Sequence, residues 1–204
     1  MYLSRIRLDN KKRETYKFLC SQQVAHATIE AAFSDKEKTR KLWRLDYYKG
    51  EPYILILSKD KPNFSRFASQ FGYSDEGGET KDYQKVLNML ASGQVYRFRL
   101  CANPVHSISM GEGKRGKVVA HVTVEQQEHW LVEQSLKHGF ALKNFSVVQR
   151  DLKKFKRNNA SVTIATATYE GCLEITNVEE FKQILLEGLG RSKAYGCGLL
   201  TLAK

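Results

Sequence analysis

The stretch VYRFRLC, residues 95–101, sets Tyr96, Phe98 and Leu100 on one side and Arg97 and Arg99 on the other. That alternation is the period of a half-buried β-strand. It falls near the middle of a 204-residue chain, and the elements after it repeat those after an earlier strand, YLSRIRL at 2–8. Downstream, 118–122 (VVAHV) is β-prone, and Thr123 with Gln126 forms a capping box for a helix to about His138, stopped by Gly139. Strands are expected at 140–148, 161–168 and 170–175. Asn177 with Glu180 then caps a helix whose Val178, Phe181, Ile184, Leu185 and Leu189 form a buried stripe, and a strand at 195–202 closes the chain.

The first half has the same order. A helix is expected over 14–33, with Tyr16, Leu19, Cys20, Val24, Ala27 and Ala31 recurring at helical spacing as its buried face. Strands come next at 42–47 and 52–58. Asn63 caps a short helix, FSRFASQF, that Gly72 ends, and 75–80 is a polar loop. Over 80–91 two signals compete: Tyr83, Val86, Leu87 and Leu90 have helical spacing where the order requires a closing strand. Each half thus reads β-α-β-β-α-β, the ferredoxin-like pattern. The expected fold is α+β, two tandem ferredoxin-like (RRM-like) domains at 1–91 and 94–204, joined near 91–93. In RNA-recognition modules this architecture offers an open sheet face, although the fold alone does not specify activity.

Charge narrows the class of partner. Lys and Arg number 33 against 22 Asp and Glu, a net charge of +11, which attracts polyanions. A run of about 18 apolar residues, a basic amphipathic helix and a lipidation signal are all missing, so a membrane partner is not expected. The N-terminus MYLSRIRLDNKKR lacks a secretory apolar region; a cytoplasmic location is expected. Cysteines 20, 101, 172 and 197 form no CxxC and have no histidine at ligand spacing, so reduced structural thiols are expected, with no metal and no cofactor.

Two segments suit nucleic acid. In GLGRSKAYGCGLL, 188–200, Gly188, Gly190, Gly196 and Gly198 lie between a helix and a strand, with Arg191 and Lys193 among them. Glycine lets backbone approach a ligand and turn its amides toward an anion. The order is neither a Walker A loop nor a dinucleotide fingerprint, and a helix cap plus a strand glycine would account for two of the four. In QRDLKKFKRNNA, 149–160, Arg150, Lys153, Lys154, Lys156 and Arg157 crowd into an expected loop between strands, around Phe155. Such a hairpin suits a nucleic-acid groove, or is a solvated lysine-rich loop. Lys114, Arg115 and Lys117 make a smaller, less specific cluster. His106, His121, His129 and His138 have no recognisable partners. His26 lies at the margin of the first helix's expected stripe, with Gln22 one turn before it and Glu30 one turn after. Histidine exchanges protons near neutrality, which makes His26 the candidate catalytic group.

Taken together, MYLSRIRL, the helix histidine, YRFRLCANPV at 96–105 and GLGRSKAYGCGLLTLA at 188–203 resemble the CasE family, the CRISPR-associated endoribonucleases of type I-E systems, along nearly the whole chain. The resemblance implies two ferredoxin-like domains and metal-independent cleavage of precursor CRISPR RNA at the base of each repeat hairpin, leaving a cyclic phosphate and a 5′-hydroxyl. It also implies retention of the product within the Cascade complex, alongside its other protein subunits. His26 would be the general base or acid, the Gly-rich loop would hold the RNA backbone, and the basic hairpin would enter the groove. The family pattern carries a tyrosine three residues before the histidine; here that residue is Gln23, so a second catalytic group is not assigned. The alternatives are a non-catalytic RNA-binding subunit of a ribonucleoprotein and a basic scaffold that recognises proteins. A nucleotide-binding metabolic enzyme lacks its signature.

Overall fold

The computed structural model describes residues 1–34, 39–73, 78–111, 113–114, 116–157 and 160–204, with the side chain of Arg157 excluded. Arg115, residues 75–77 of the expected loop at 75–80 and residues 158–159 of the expected basic loop therefore lie outside the described residues. In chain order the first half comprises β1 (Tyr2–Arg7), α1 (Arg13–Cys20), α2 (Gln22–Glu30), β2 (Leu42–Tyr48), β3 (Glu51–Ser58), α3 (Ser65–Phe71), β4 (Glu79–Asp82) and α4 (Gln84–Asn88). The second comprises β5 (Val95–Ala102), β6 (Val105–Ile108), β7 (Lys117–Ala120), α5 (Val124–Lys137), β8 (Phe140–Arg157), β9 (Ala160–Ile175), α6 (Val178–Glu187) and β10 (Leu200–Ala203). A 3₁₀ turn, Lys193–Tyr195, precedes the last strand.

Two four-stranded sheets have the orders β2-β3-β1-β4 and β10-β5-β9-β8. Each is the ferredoxin-like order, its first strand central between the third and the fourth. The competing signals at 80–91 are both satisfied, by β4 and then α4. The small sheet β6-β7 is an insertion in the second half.

Alternation along the first sheet's strands feeds two cores. Trp43, Ile54 and Ile56 pack with Phe18, Ile29, Phe67 and Phe71 under the helices of the first half. Leu42 and Leu57 point the other way, into a larger cluster with Phe98, Leu100, Tyr169 and Phe181 of the second half. The first sheet therefore does not offer the fully open face seen in a lone RNA-recognition module.

The helix expected over 14–33 is two helices. Ser21 between them is extended, with φ −129° and ψ 109°, and its hydroxyl accepts from the Val24 amide at 3.4 Å as the N-cap of α2. The break re-aims both helices. Thr15, Phe18, Ala25 and Ile29 are the buried positions, while much of the expected stripe is exposed, Tyr16 at 68% and Val24 at 38%. Phe18, outside that stripe, packs edge-on against Phe67 at 5.8 Å, and the Thr15 hydroxyl donates to the Phe71 carbonyl at 2.9 Å. Helical spacing identified the elements and missed the face, because a single period was carried across a capping serine.

The second half also departs from expectation in its hairpin and its last strand. Residues 149–157 form the distal part of β8 rather than a loop, paired with β9 out to Arg157↔Ala160. β5 pairs with β9 only from Ala167 onward, so beyond that point β8 and β9 continue as a two-stranded ribbon. The strand expected at 195–202 begins only at Leu200, because Ser192, Gly196 and Gly198 have positive φ and fold the preceding residues into a turn. Among the described residues no helix is long and apolar enough to cross a membrane.

Candidate active site

His26 stands in the second turn of α2, its side chain 34% exposed. Its Nδ1 lies 4.0 Å from Glu30 Oε1, one turn on, an electrostatic contact longer than a hydrogen bond. Glu30 is anchored by Lys41, whose buried ammonium donates to Glu30 Oε2 at 3.0 Å. Gln23, on the preceding turn, is exposed. Gln22 turns into a cleft of about 380 Å³ between the two halves, lined also by Tyr47, Arg99, Asp151, Lys153 and Lys154. Burial, followed by the nearby Asp151 carboxylate, raises the pKa of the Tyr47 phenol.

The Gly-rich loop is brought next to α2. Its 3₁₀ turn is pinned by the Trp43 indole, which donates to the Ala194 carbonyl at 3.1 Å, and by Asn103, which donates to the Ser192 hydroxyl at 2.7 Å. The glycines serve close packing. Gly196, at φ +80°, lies against the Trp43 ring, where a Cβ would come within 3.0 Å of the indole carbon Cζ3. Gly198, at φ +90°, would set a Cβ 2.8 Å from the Leu189 carbonyl oxygen. Gly188 ends α6 against Leu42, and Gly190 rests on Trp130. The amides of Gly188 and Gly198 already donate to the Ile184 and Cys101 carbonyls, so neither is free for a phosphate. The charge at this place comes from Arg191, exposed, and Lys193, half-buried. Burial, then the nearby Arg40 guanidinium, holds the Lys193 ammonium below its ordinary pKa.

The two segments that carried the family resemblance meet here. Asn103 holds Ser192, and the Cys101 and Cys197 thiols hydrogen-bond to one another. All four cysteines are free. That bond to Cys197 lowers the Cys101 pKa, while the same bond and burial raise that of Cys197.

Strand alternation divides the basic ribbon. Arg150, Lys154 and Lys156 fall on its exposed face, and the Arg150 guanidinium donates to the Val122 carbonyl. Lys153 and Phe155 fall on the half-buried face. Phe155 meets the Tyr195 ring at 4.7 Å, and Tyr195 in turn meets the His26 ring at 6.2 Å. The sequence-predicted histidine, loop and hairpin thus converge through two aromatic rings.

Sequence reading missed Arg44 altogether. It is 3% exposed on β2, grips Asp46 through Nε at 2.8 Å and Nη2 at 2.7 Å, and donates to the Arg99 and Leu199 carbonyls and the Thr201 hydroxyl. One guanidinium ties the first sheet to two strands of the second. Asp46 is also 3.2 Å from Arg99 Nε, and Arg99 pairs with Glu170. An arginine in a strand looks solvated until its partners are known.

The other histidines do have neighbours. His106 and His121 pair ring to ring at 4.7 Å across β6-β7, with burial, then His106, lowering the His121 pKa. His129 faces Glu133 at 3.2 Å. Among the described residues no group of three or more His, Cys, Asp or Glu is arranged to hold a metal.

The model of the family described as "CRISPR associated protein" matches residues 1–204. The chain is 27% identical to the CRISPR-associated endoribonuclease Cse3 of Thermus thermophilus, covering the whole of both chains. It is 30% identical over 128 residues to the Cascade subunit CasE of Escherichia coli, 59% of this chain and 63% of that one. A solved structure of Thermus thermophilus Cse3 bound to an RNA representing a pre-cleavage complex superposes with a TM-score of 0.84 at 26% identity, over 100% of this chain and 98% of that one.

Proposed function

This chain belongs to the CRISPR associated protein family, and we propose that it is an endoribonuclease that cuts precursor CRISPR RNA within its repeat hairpins, in the cytoplasm, and keeps the product as a subunit of Cascade. The observation that carries the reading is the convergence of His26, the Gly-rich loop and the basic ribbon through the Tyr195 and Phe155 rings. Similarity over the full chain to an endoribonuclease, and to a structure of that enzyme with RNA, supports it. Residues 1–91 form the domain that carries the histidine, and 94–204 the domain that carries ribbon and loop.

RNA supplies its own nucleophile. As the 2′-oxygen next to the scissile phosphate bonds to phosphorus, the bond to the 5′-oxygen breaks. A proton leaves the 2′-hydroxyl and another reaches the departing oxygen. The products are a 2′,3′-cyclic phosphate and a 5′-hydroxyl. His26, partly exposed and backed by Glu30, moves one of these protons as base or acid. Arg150, Lys153, Lys154, Lys156 and Arg157 engage the hairpin backbone, with Arg191 and Lys193 of the loop. Gly188, Gly190, Gly196 and Gly198 give that loop its shape. The net charge of +11 speeds encounter with the RNA.

Because nucleophile and proton carrier are both in place, the chemistry requires no metal ion. Purified protein incubated with a cognate repeat hairpin in excess EDTA gives one cut and a cyclic-phosphate end. Activity that disappears on chelation and returns with magnesium refutes this mechanism. The second reading, a subunit that binds the hairpin without cutting it, draws on Gln23, which cannot exchange a proton where the family pattern has a tyrosine. It predicts a shifted but intact RNA on the same gel.

A further inference from the structure

We infer that Tyr195 is the positioning residue for the His26 imidazole, and that Phe155 braces it from the RNA-binding ribbon. The inference rests on His26 being the proton-transfer group. Among the described residues no hydrogen bond aims the His26 ring: Glu30 stays 4.0 Å away, and the side chain is a third exposed. An imidazole so loosely held on a helix surface samples several orientations, and proton transfer needs one. The Tyr195 ring packs against it at 6.2 Å with planes at 66°, the edge-to-face geometry that aromatic pairs favour.

Tyr195 is itself rigidly presented. Its amide donates to the Ser192 carbonyl at 2.9 Å, the residue before it is held by the Trp43 indole, and the one after it lies on that same indole. The two left-handed residues flanking the 3₁₀ turn, Ser192 at φ 60° and Gly196 at φ 80°, allow the chain to double back there. Phe155 also packs on Tyr195, at 4.7 Å with planes at 52°. Tyr195 thus contacts both the histidine and the ribbon, so the ribbon's packing helps to hold the ring that packs against the imidazole. The contacts described for Tyr195 on both neighbours are made by its ring.

The experiment pairs single-turnover cleavage at saturating protein with separate measurement of RNA affinity. Tyr195→Ala slows cleavage by about 10- to 100-fold, the scale of a small misplacement of a reacting group, while affinity stays within a few-fold. Tyr195→Phe, which keeps the ring, recovers most of the loss. Phe155→Ala slows the parent enzyme but adds nothing to the rate loss of Tyr195→Ala, since both act through one contact. A parent rate in Tyr195→Ala, or a Tyr195→Phe protein as slow as Tyr195→Ala, overturns the inference. A second readout is independent of turnover: with histidine side chains isotopically labelled, Tyr195→Ala shifts and broadens the His26 ring signals, because the neighbouring ring current and the restraint are both removed. Unmoved signals overturn the placement even if the protein proves not to cut RNA, an outcome that would refute the endonuclease reading separately.

Discussion

The two halves share one strand order and differ in how they treat their first helix. In the second half α5 opens on a full capping box, in which Thr123 accepts from the Gln126 amide at 3.2 Å and the Gln126 side chain accepts from the Thr123 amide. It runs unbroken for 14 residues. In the first half the same position in the fold is split at Ser21, whose cap bond is 3.4 Å, and the segment after the split carries His26. The well-capped helix supports Tyr169, whose buried hydroxyl donates to the Gln127 carbonyl at 2.9 Å. The broken one carries His26, whose ring meets that of Tyr195. The copy with the unbroken helix uses it to support its core, and the copy with the broken helix carries the histidine proposed for the chemistry.

That contrast can be tested in order of expected effect. His26→Ala is expected to slow single-turnover cleavage by about 10² to 10⁴, the usual contribution of general acid–base catalysis, with hairpin affinity within a few-fold. No residue of α5 should come near that value. Should the variant cut at the parent rate, the site is elsewhere.

Arg44→Ala removes the clamp between the halves; the half-buried Asp46 keeps Arg99 as its ion partner, while the Arg99 and Leu199 carbonyls lose their donor. Leaving a buried hydrogen-bonding group unmatched costs about 1–3 kcal/mol, read as a lowered urea midpoint. If the midpoint does not move, the two sheets are held by apolar packing alone.

On the ribbon, Lys154→Ala with Lys156→Ala should flatten the salt dependence of hairpin binding. Each lysine withdrawn from a phosphate reduces the slope of log K against log salt by roughly 0.7–0.9. Lys153→Ala, on the half-buried face beside Phe155, should affect cleavage more than the slope. Equal slopes for parent and double variant would make the outer lysines solvated surface.

The smallest effect separates the two caps. Thr123→Ala should cost about 1 kcal/mol of stability, the usual loss of a cap. Ser21→Ala should cost less, since its bond is longer and weaker. The measurement is thermal unfolding, and the reverse ranking would mean that Ser21 sets the angle between α1 and α2.

Much of the fold was legible because its signals are local. The arginine alternation of 95–101, the capping box at Thr123, the Asn177 cap and the stop at Gly139 depend on residues within a turn of one another, and all have the expected form. The misreadings came where local signals compete. Ser21 looked like one more helix residue, and a lysine-rich run looked like a loop although its register with β9 continues to Arg157. Gly188, Gly190 and Gly196, read as part of a phosphate cradle, also seat Leu42, Trp130 and Trp43, neighbours contributed by distant segments that local spacing does not record.

By itself, then, the sequence determined the strand and helix order, the caps, the positive charge and the candidacy of His26, since each rests on side-chain type and short-range spacing. Tertiary structure alone decided that Tyr195 and Phe155 stand in line with that histidine, that Arg44 clamps one sheet to the other, and which face of the first helices is buried. Those pairings join residues separated by 40 to 169 positions. At such separations the partner is chosen by the packing of whole elements, and no local spacing records it.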